Sequence, residues 1–186
     1  MKRDEELNII LRIKDGDTAL YNRLVVEHST KILARVRGVV GKQEDAEEIS
    51  QDVFVKAFFS LKSFRGECSF STWLYRIAYN MSITAARKKK RVSVQIDSVA
   101  NISDNSEEQR IETKEMENKF NILYKAVDNL HPEERFIILS FYNYQKSIKE
   151  ISEITGISES NVKVKLHRIK KRLGVLIGDK IDLCYG

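Results

Sequence analysis

Proline occurs once in this chain, at Pro132, and glycine only eight times in 186 residues. A chain so poor in breakers lacks the frequent tight turns that a many-stranded sheet demands. Strand-like alternation is scarce, while apolar residues recur at steps of three and four. The expected fold is therefore all-α, with two small helical domains joined by a flexible linker and a helix-turn-helix in the second. Cysteine is almost as rare. Cys68 and Cys184 lie far apart and fit no metal spacing, and the three histidines, His28, His131 and His167, are scattered. No zinc constellation, other metal site or cofactor motif is expected, and the cysteines read as reduced thiols of a cytoplasmic protein. No apolar run reaches the roughly 18 residues of a membrane span. The opening MKRDEELNII has no apolar core of the signal-peptide kind, so no membrane insertion is expected.

What the chain does have is charge. It is 32% Asp, Glu, Lys and Arg, with a net charge of +5, a mild lean toward polyanionic partners. It is also 42% apolar, enough to bury cores. The most organised stretch is 147–172, SIKEISEITGISESNVKVKLHRIKKR. Ile148, Ile151 and Ile154 are spaced by three, and Gly156 offers a turn where a positive φ costs little. Ser158 is a good N-cap for a second helix. On that helix Val162, Leu166 and Ile169 share one face, while Lys163, Val164, His167 and Arg168 share another. This is the layout of a helix-turn-helix whose second helix enters a DNA major groove. Lys170, Lys171 and Arg172 add cations that could neutralise phosphates. A Lys-rich face is also what a solvated bundle helix would carry.

Ahead of this unit the chain reads as successive helices. Glu5–Lys14 places Leu7, Ile10 and Leu11 on one side, and Asp15–Gly16–Asp17 breaks it. Asp17 or Thr18 could cap the next helix, whose Leu20, Leu24, Ile32 and Val36 point to a core, with His28 as a structural histidine nearby. A third helix opens in QEDAEE, its acids suited to the first turn. Ala46, Ile49, Val53 and Ala57 form its inner stripe. Glu48, Gln51, Asp52, Phe54 and Phe58 fall partly outside that stripe. They suit a protein interface, although the two rings could equally pack under the next helix. A helix carrying Phe70, Trp73, Tyr75 and Tyr79 follows, capped by Ser69 or Ser71 and ending in the cations of 87–91. Aromatics ahead of a basic cluster suit single-stranded nucleic acid, although Phe70 and Trp73 could instead be core. Residues 92–118 are polar and acidic and read as a tether. Helices with Phe120, Leu123, Val127 and Leu130, and then Phe136, Ile137, Leu139 and Phe141, complete the second core after Pro132 at a helix start.

The order of DAEEISQDVFVKAF (45–58), SFRGECSFSTWLYRIAYN (63–80), LHPEERFIIL (130–139) and the helix-turn-helix resembles bacterial RNA polymerase sigma factors. Most similar is the small two-domain extracytoplasmic-function (ECF) group of the sigma-70 family, over about residues 15–176. The resemblance implies a transcription initiation factor, not an enzyme, that binds core RNA polymerase and promoter DNA. It implies a domain at 1–92, a linker at 93–114 and a domain at 115–186. Glu48, Gln51, Asp52, Phe54 and Phe58 would dock on the clamp helices of the largest polymerase subunit, with the flap region a further contact. Arg65, Phe70, Trp73, Arg76, Asn80, Arg87 and Lys88 would hold unpaired −10 bases and their backbone. Ser160, Asn161, Lys163, Val164, His167, Arg168 and Lys171 would read the −35 element. Relatives are often held by an anti-sigma factor covering both domains. The chain departs from common patterns at Thr84, Asn161, Val164 and Lys165, so a relative's −35 sequence does not transfer. A conventional helix-turn-helix regulator would explain 147–172 but leave 45–91 unused. A nucleic-acid enzyme would need a second carboxylate cluster beside Asp45, Glu47 and Glu48.

Overall fold

A computed structural model describes residues 3–95 and 123–177, and among them every regular element is helical. The first domain consists of α1 (Arg3–Lys14), α2 (Tyr21–Val40), α3 (Gln43–Ser60) and α4 (Phe70–Gln95). The second consists of α5, described over 123–128, then α6 (Pro132–Tyr142), α7 (Ile148–Thr155) and α8 (Glu159–Ile177). Most of the expected linker, together with Phe120 and Cys184, lies outside the described residues. No helix among the described residues is long and apolar enough to cross a membrane.

α2 is the central helix. Leu24 and Ile32 are fully buried and Val36 nearly so, and α1, α3 and α4 close over them. α1 begins with Asp4, Glu5 and Glu6 and ends with Arg12 and Lys14, charges that complement its dipole. It buries Ile9, Ile10 and Ile13, while Leu11, expected on the inner side, is 60% exposed. The expectation failed because the inward arc runs through Ile9 and Ile13, four residues apart on one face with Ile10 beside them, which leaves Leu11 on the far side. Asp17 does not cap the next helix. Its carboxylate instead accepts a 2.6 Å bond from Arg12. α4 is capped as expected, Ser69 Oγ accepting from the Thr72 amide at 3.1 Å. α4 then continues past the basic cluster to Gln95.

The second domain shows the same local logic. Pro132 stands in the first turn of α6 with Glu133 and Glu134 behind it. Ser147 and Glu150 form a reciprocal capping box at α7, and Gly156 ends that helix at φ +75°. Ile137, Ile151, Val162, Leu166 and Ile169 form the small core.

Phe136, expected in that small core, lies elsewhere. It belongs to the first domain's apolar cluster, its ring 4.7 Å from Tyr79, and Ile154 joins the same cluster. The face of α6 and α7 turned away from their own domain is therefore covered by α2 and α4. Two helical stripes diverge within α6, and periodicity alone does not say which neighbour each one meets.

Replacing Phe70, 1% exposed, by Ala should lower unfolding free energy by about 3–5 kcal/mol, measured by urea denaturation. The seam also titrates. Burial, assisted by Glu133 and opposed by Arg87, raises the Tyr79 hydroxyl from 10.0 to about 12. A phenol harder to ionise when folded contributes stability below its unfolded pKa, lost as pH rises through the folded one. Wild type should therefore lose stability between pH 10 and about 12, and Tyr79→Phe should lose less across that window in the same denaturation assay.

Candidate polymerase and nucleic-acid interfaces

Three surfaces remain once the cores are filled. The first is the outer face of α8. Val162, Leu166, Ile169 and Leu173 anchor the helix, and steps of three and four between them turn the intervening positions outward. Ser160, Asn161, Lys163, Val164, His167, Arg168 and Lys171 are all exposed, and Val164 is an exposed apolar residue among them. Ser158 Oγ accepts from the Asn161 amide at 3.4 Å, tying down the start of the helix. Arg172, expected with Lys171 to face phosphate, is instead ion-paired with Glu134 of α6. That pair fixes α8 to its own domain.

The second surface is the outer face of α3. Glu48, Gln51 and Asp52 are exposed. Phe54, expected beside them, is buried in the core, and its carbonyl accepts a 2.7 Å bond from the Tyr21 hydroxyl. Phe58 is half-buried, edge-on to Tyr21 at 5.0 Å. The exposed apolar residues are Val55 (54%) and Phe59 (78%). Glu48, Asp52, Val55 and Phe59 follow one another at steps of four, three and four, a single stripe opposite Ala46, Val53 and Ala57. Extending the Glu48–Asp52 stripe by two more turns would have found them. At the other end of α3, Asp45 accepts from Lys89 at 2.7 Å, which holds the Asp45 carboxyl below its usual range.

The third surface runs along α4 and the loop before it. Arg65, Arg76, Asn80, Arg87 and Lys88 are exposed. Phe70 is not available to a ligand, because Phe64 and Trp73 pack on it at 5.8 and 5.7 Å. Trp73 is half-buried against both rings, so it offers only part of its indole. The aromatics of 64–73 are thus mainly the floor of this surface, and the cations are its rim. Arg76 and Asn80 line a depression of about 470 Å³ whose opposite wall is residues 152–158 of the second domain. Among the described residues no group of His, Cys, Asp and Glu is placed to hold a metal ion.

An exposed basic face on one helix, an acidic–apolar face on a second and a cationic strip over aromatics are what a protein that joins a larger partner on DNA would need. The comparisons agree with that geometry. The family model for sigma-70 region 2 matches residues 24–92, and that for sigma-70 region 4 matches 120–173. The chain is 29% identical over 175 residues to the ECF RNA polymerase sigma factor SigW of Bacillus subtilis, spanning 88% of this chain and 92% of that one. Its fold is shared, at a TM-score of 0.65 and 19% identity, with the sigma factor RpoE of Bartonella quintana, solved with the anti-sigma factor NepR, over 87% of this chain and 98% of that one. CnrH, solved with the cytosolic domain of CnrY, gives the same TM-score and identity over 93% and 97%. The chain belongs to the extracytoplasmic-function group of the sigma-70 family. It is a transcription initiation factor that works with core RNA polymerase on promoter DNA, and it is not an enzyme.

If Lys163 touches phosphate, Lys163→Ala should weaken holoenzyme binding across all −35 variants alike and reduce the salt dependence by about one counterion; if it reads a base, the change should instead relax specificity at one position. Val164→Ala should change the ranking of variants instead, because its side chain can offer only an apolar contact such as one to a thymine methyl. A −35 library binding scan at two salt concentrations reads both outcomes.

Proposed function

We propose a division of labour among the three surfaces. Residues 1–92 form the domain that docks on polymerase and holds the −10 element, 93–114 the linker, and 115–186 the domain that reads the −35 element. The outer stripe of α3, with Glu48, Gln51, Asp52 and Phe58 extended by Val55 and Phe59, docks on the clamp helices of the largest polymerase subunit. The second domain meets the flap region. Arg65, Trp73, Arg76, Asn80, Arg87 and Lys88 take the unpaired non-template strand. Ser160, Asn161, Lys163, Val164, His167, Arg168 and Lys171 face the −35 groove. The factor works in the cytoplasm, and an anti-sigma factor is a natural third partner, as NepR is for the solved RpoE.

The observation that carries this reading is the simultaneous exposure of the α8 cations and the Val55–Phe59 pair. An exposed apolar pair beside acids marks a protein contact that groove reading by α8 alone does not call for. Opening DNA without fuel is physically feasible for such a factor. Taking a base out of the stack costs a few kcal/mol, and stacking on a protein ring returns roughly 1–3 kcal/mol per base. Two modest DNA contacts become specific when polymerase holds them at a fixed spacing.

Run-off transcription with purified core polymerase on a promoter library should yield start sites only when this chain is present. The free protein should bind duplex promoter weakly. Tight sequence-specific duplex binding by the protein alone, with no effect on start sites, would point to a conventional regulator.

A further inference from the structure

The loop 64–69, which leads into α4, rests on α1. Arg3, Leu7, Ile10 and Lys14 follow one another at steps of four, three and four and so share one side of that helix. At one end Lys14 Nζ donates a 2.6 Å hydrogen bond to the Phe64 carbonyl, fifty residues away in sequence, and stands 5.9 Å from the centre of the Phe64 ring. In the middle a β-carbon at Gly66 would lie 3.8 Å from Leu7 Cδ2. At the far end Arg3 shares a depression with Ser69 and Ser71. One stripe of α1 therefore runs beneath the length of the loop.

The lysine contact has a directional consequence. Phe64 is 4% exposed, and its amide closes the preceding turn by donating to the Leu61 carbonyl at 3.0 Å. Its carbonyl shares a rigid plane with the Arg65 amide, and in a trans peptide the two point opposite ways. Holding the carbonyl against α1 turns the Arg65 N–H away from α1. Gly66 then takes φ +75°, a conformation that only glycine adopts at little cost. Beyond it, Ser69 Oγ accepts from the Thr72 amide and meets the Thr72 hydroxyl at 2.8 Å. The loop is tied at both ends, while the side chains of Arg65 and Glu67 between them are 83% and 77% exposed. α1 does not need the lysine bond in order to dock, since Ile9, Ile10 and Ile13 already bury it. A half-buried ammonium aimed at a backbone carbonyl contributes direction more than net stability.

We propose that α1 is the platform of the strand-reading loop and that Lys14 is its positioning residue. Lys14 touches no DNA. By holding the Phe64 carbonyl it sets the direction in which Arg65 leaves the fold and the point at which Gly66 turns the loop over, and so it sharpens discrimination among −10 sequences. The proposal rests on the reading that Arg65 and its neighbours on α4 take the unpaired strand.

Holoenzyme assembled from the full chain and saturating core polymerase tests it, with transcripts sequenced from a promoter library randomised at the −10 element. Lys14→Met keeps the aliphatic stem and removes the donor. It should lower the ratio of favoured to disfavoured −10 sequences by about fivefold, the scale of one hydrogen bond at a half-buried site. Core affinity, the ranking of −35 variants and the urea midpoint should stay at wild-type values. Lys14→Arg, which restores a donor, should recover most of the ratio. Gly66→Ala should lower the ratio with Lys14 intact, because a β-carbon at φ +75° strains the loop. The proposal is overturned if Lys14→Met leaves the −10 profile unchanged or depresses every promoter equally, if Lys14→Arg recovers nothing, or if Gly66→Ala has no effect. Lys14 also borders Phe58 and Phe59, so a fall in core affinity with an intact −10 profile would assign it to the docking face instead. A wild-type holoenzyme with no −10 preference at all would sink the strand assignment itself, on which the proposal stands.

Discussion

Burial of α2 on several sides is the constraint from which the architecture follows. Leu24, Ile32, Val36 and Val39 mark its apolar stripe, and each turn between them must still place something against a neighbour. At His28 the chain solves this with a buried pair, the ring 2.8 Å from Glu6 of α1, and at Arg35 with two aromatic faces. Charged groups taken from water are tolerated only when partnered, and removing one partner costs more than the pair contributes. These contacts therefore specify which helix lies where more than they add stability. α1 is registered by Glu6, α4 by Tyr75 and the second domain by Tyr144.

With α2 fixed, the functional surfaces are what the packed stripes leave outside. α8 gives the simplest case. Four inward residues at helical spacing force the cations between them outward, and Arg172, which could have joined them, is withdrawn by Glu134. α3 shows a less tidy division, because it is enclosed along more than one side. Phe54 is drawn into the core, where Tyr21 bonds its carbonyl, and the exposed apolar role passes to Val55 and Phe59. Exposing an apolar pair carries a solubility cost with no compensation inside the chain, which is why it reads as a docking face.

Periodicity therefore made some features readable from residues alone and others not. The α8 stripe, the Gly156 turn, the Ser69 cap and the structural His28 are read from positions within one helix or turn, and all stand as expected. Phe54 and Phe70 mislead because each is expected on a surface, and Phe136, expected buried and buried, because it is expected in the wrong core; all three turn on a distant neighbour. A ring beside the main stripe is exposed in an isolated helix, and only a neighbour from a distant part of the chain decides whether it is covered. For Phe70 that neighbour is Phe64 together with His28, whose ring lies 5.5 Å away. For Phe136 it is Tyr79 in the other domain. Leu11 and Asp17 failed at shorter range, where a shift of one residue in the inward arc exchanges a core position for a solvated one.

The seam between the domains differs in kind from the cores it joins. A core is apolar and dispersed over many contacts, so it opens only by unfolding. The seam places a few apolar side chains under a ring of charged and backbone-directed bonds, among them Arg76, Arg87, Arg135 and Tyr144. Exposed ion pairs contribute roughly 0–1 kcal/mol each, and water or phosphate can replace their partners at little cost. Such a surface can separate while both domains stay folded. A polyanion offers Arg76 and Arg87 better acceptors than Glu153 and Glu133 do. If Arg76 and Arg87 take a separated strand as proposed, they must first leave Glu153 and Glu133, so the strand and the seam would compete for the same two arginines.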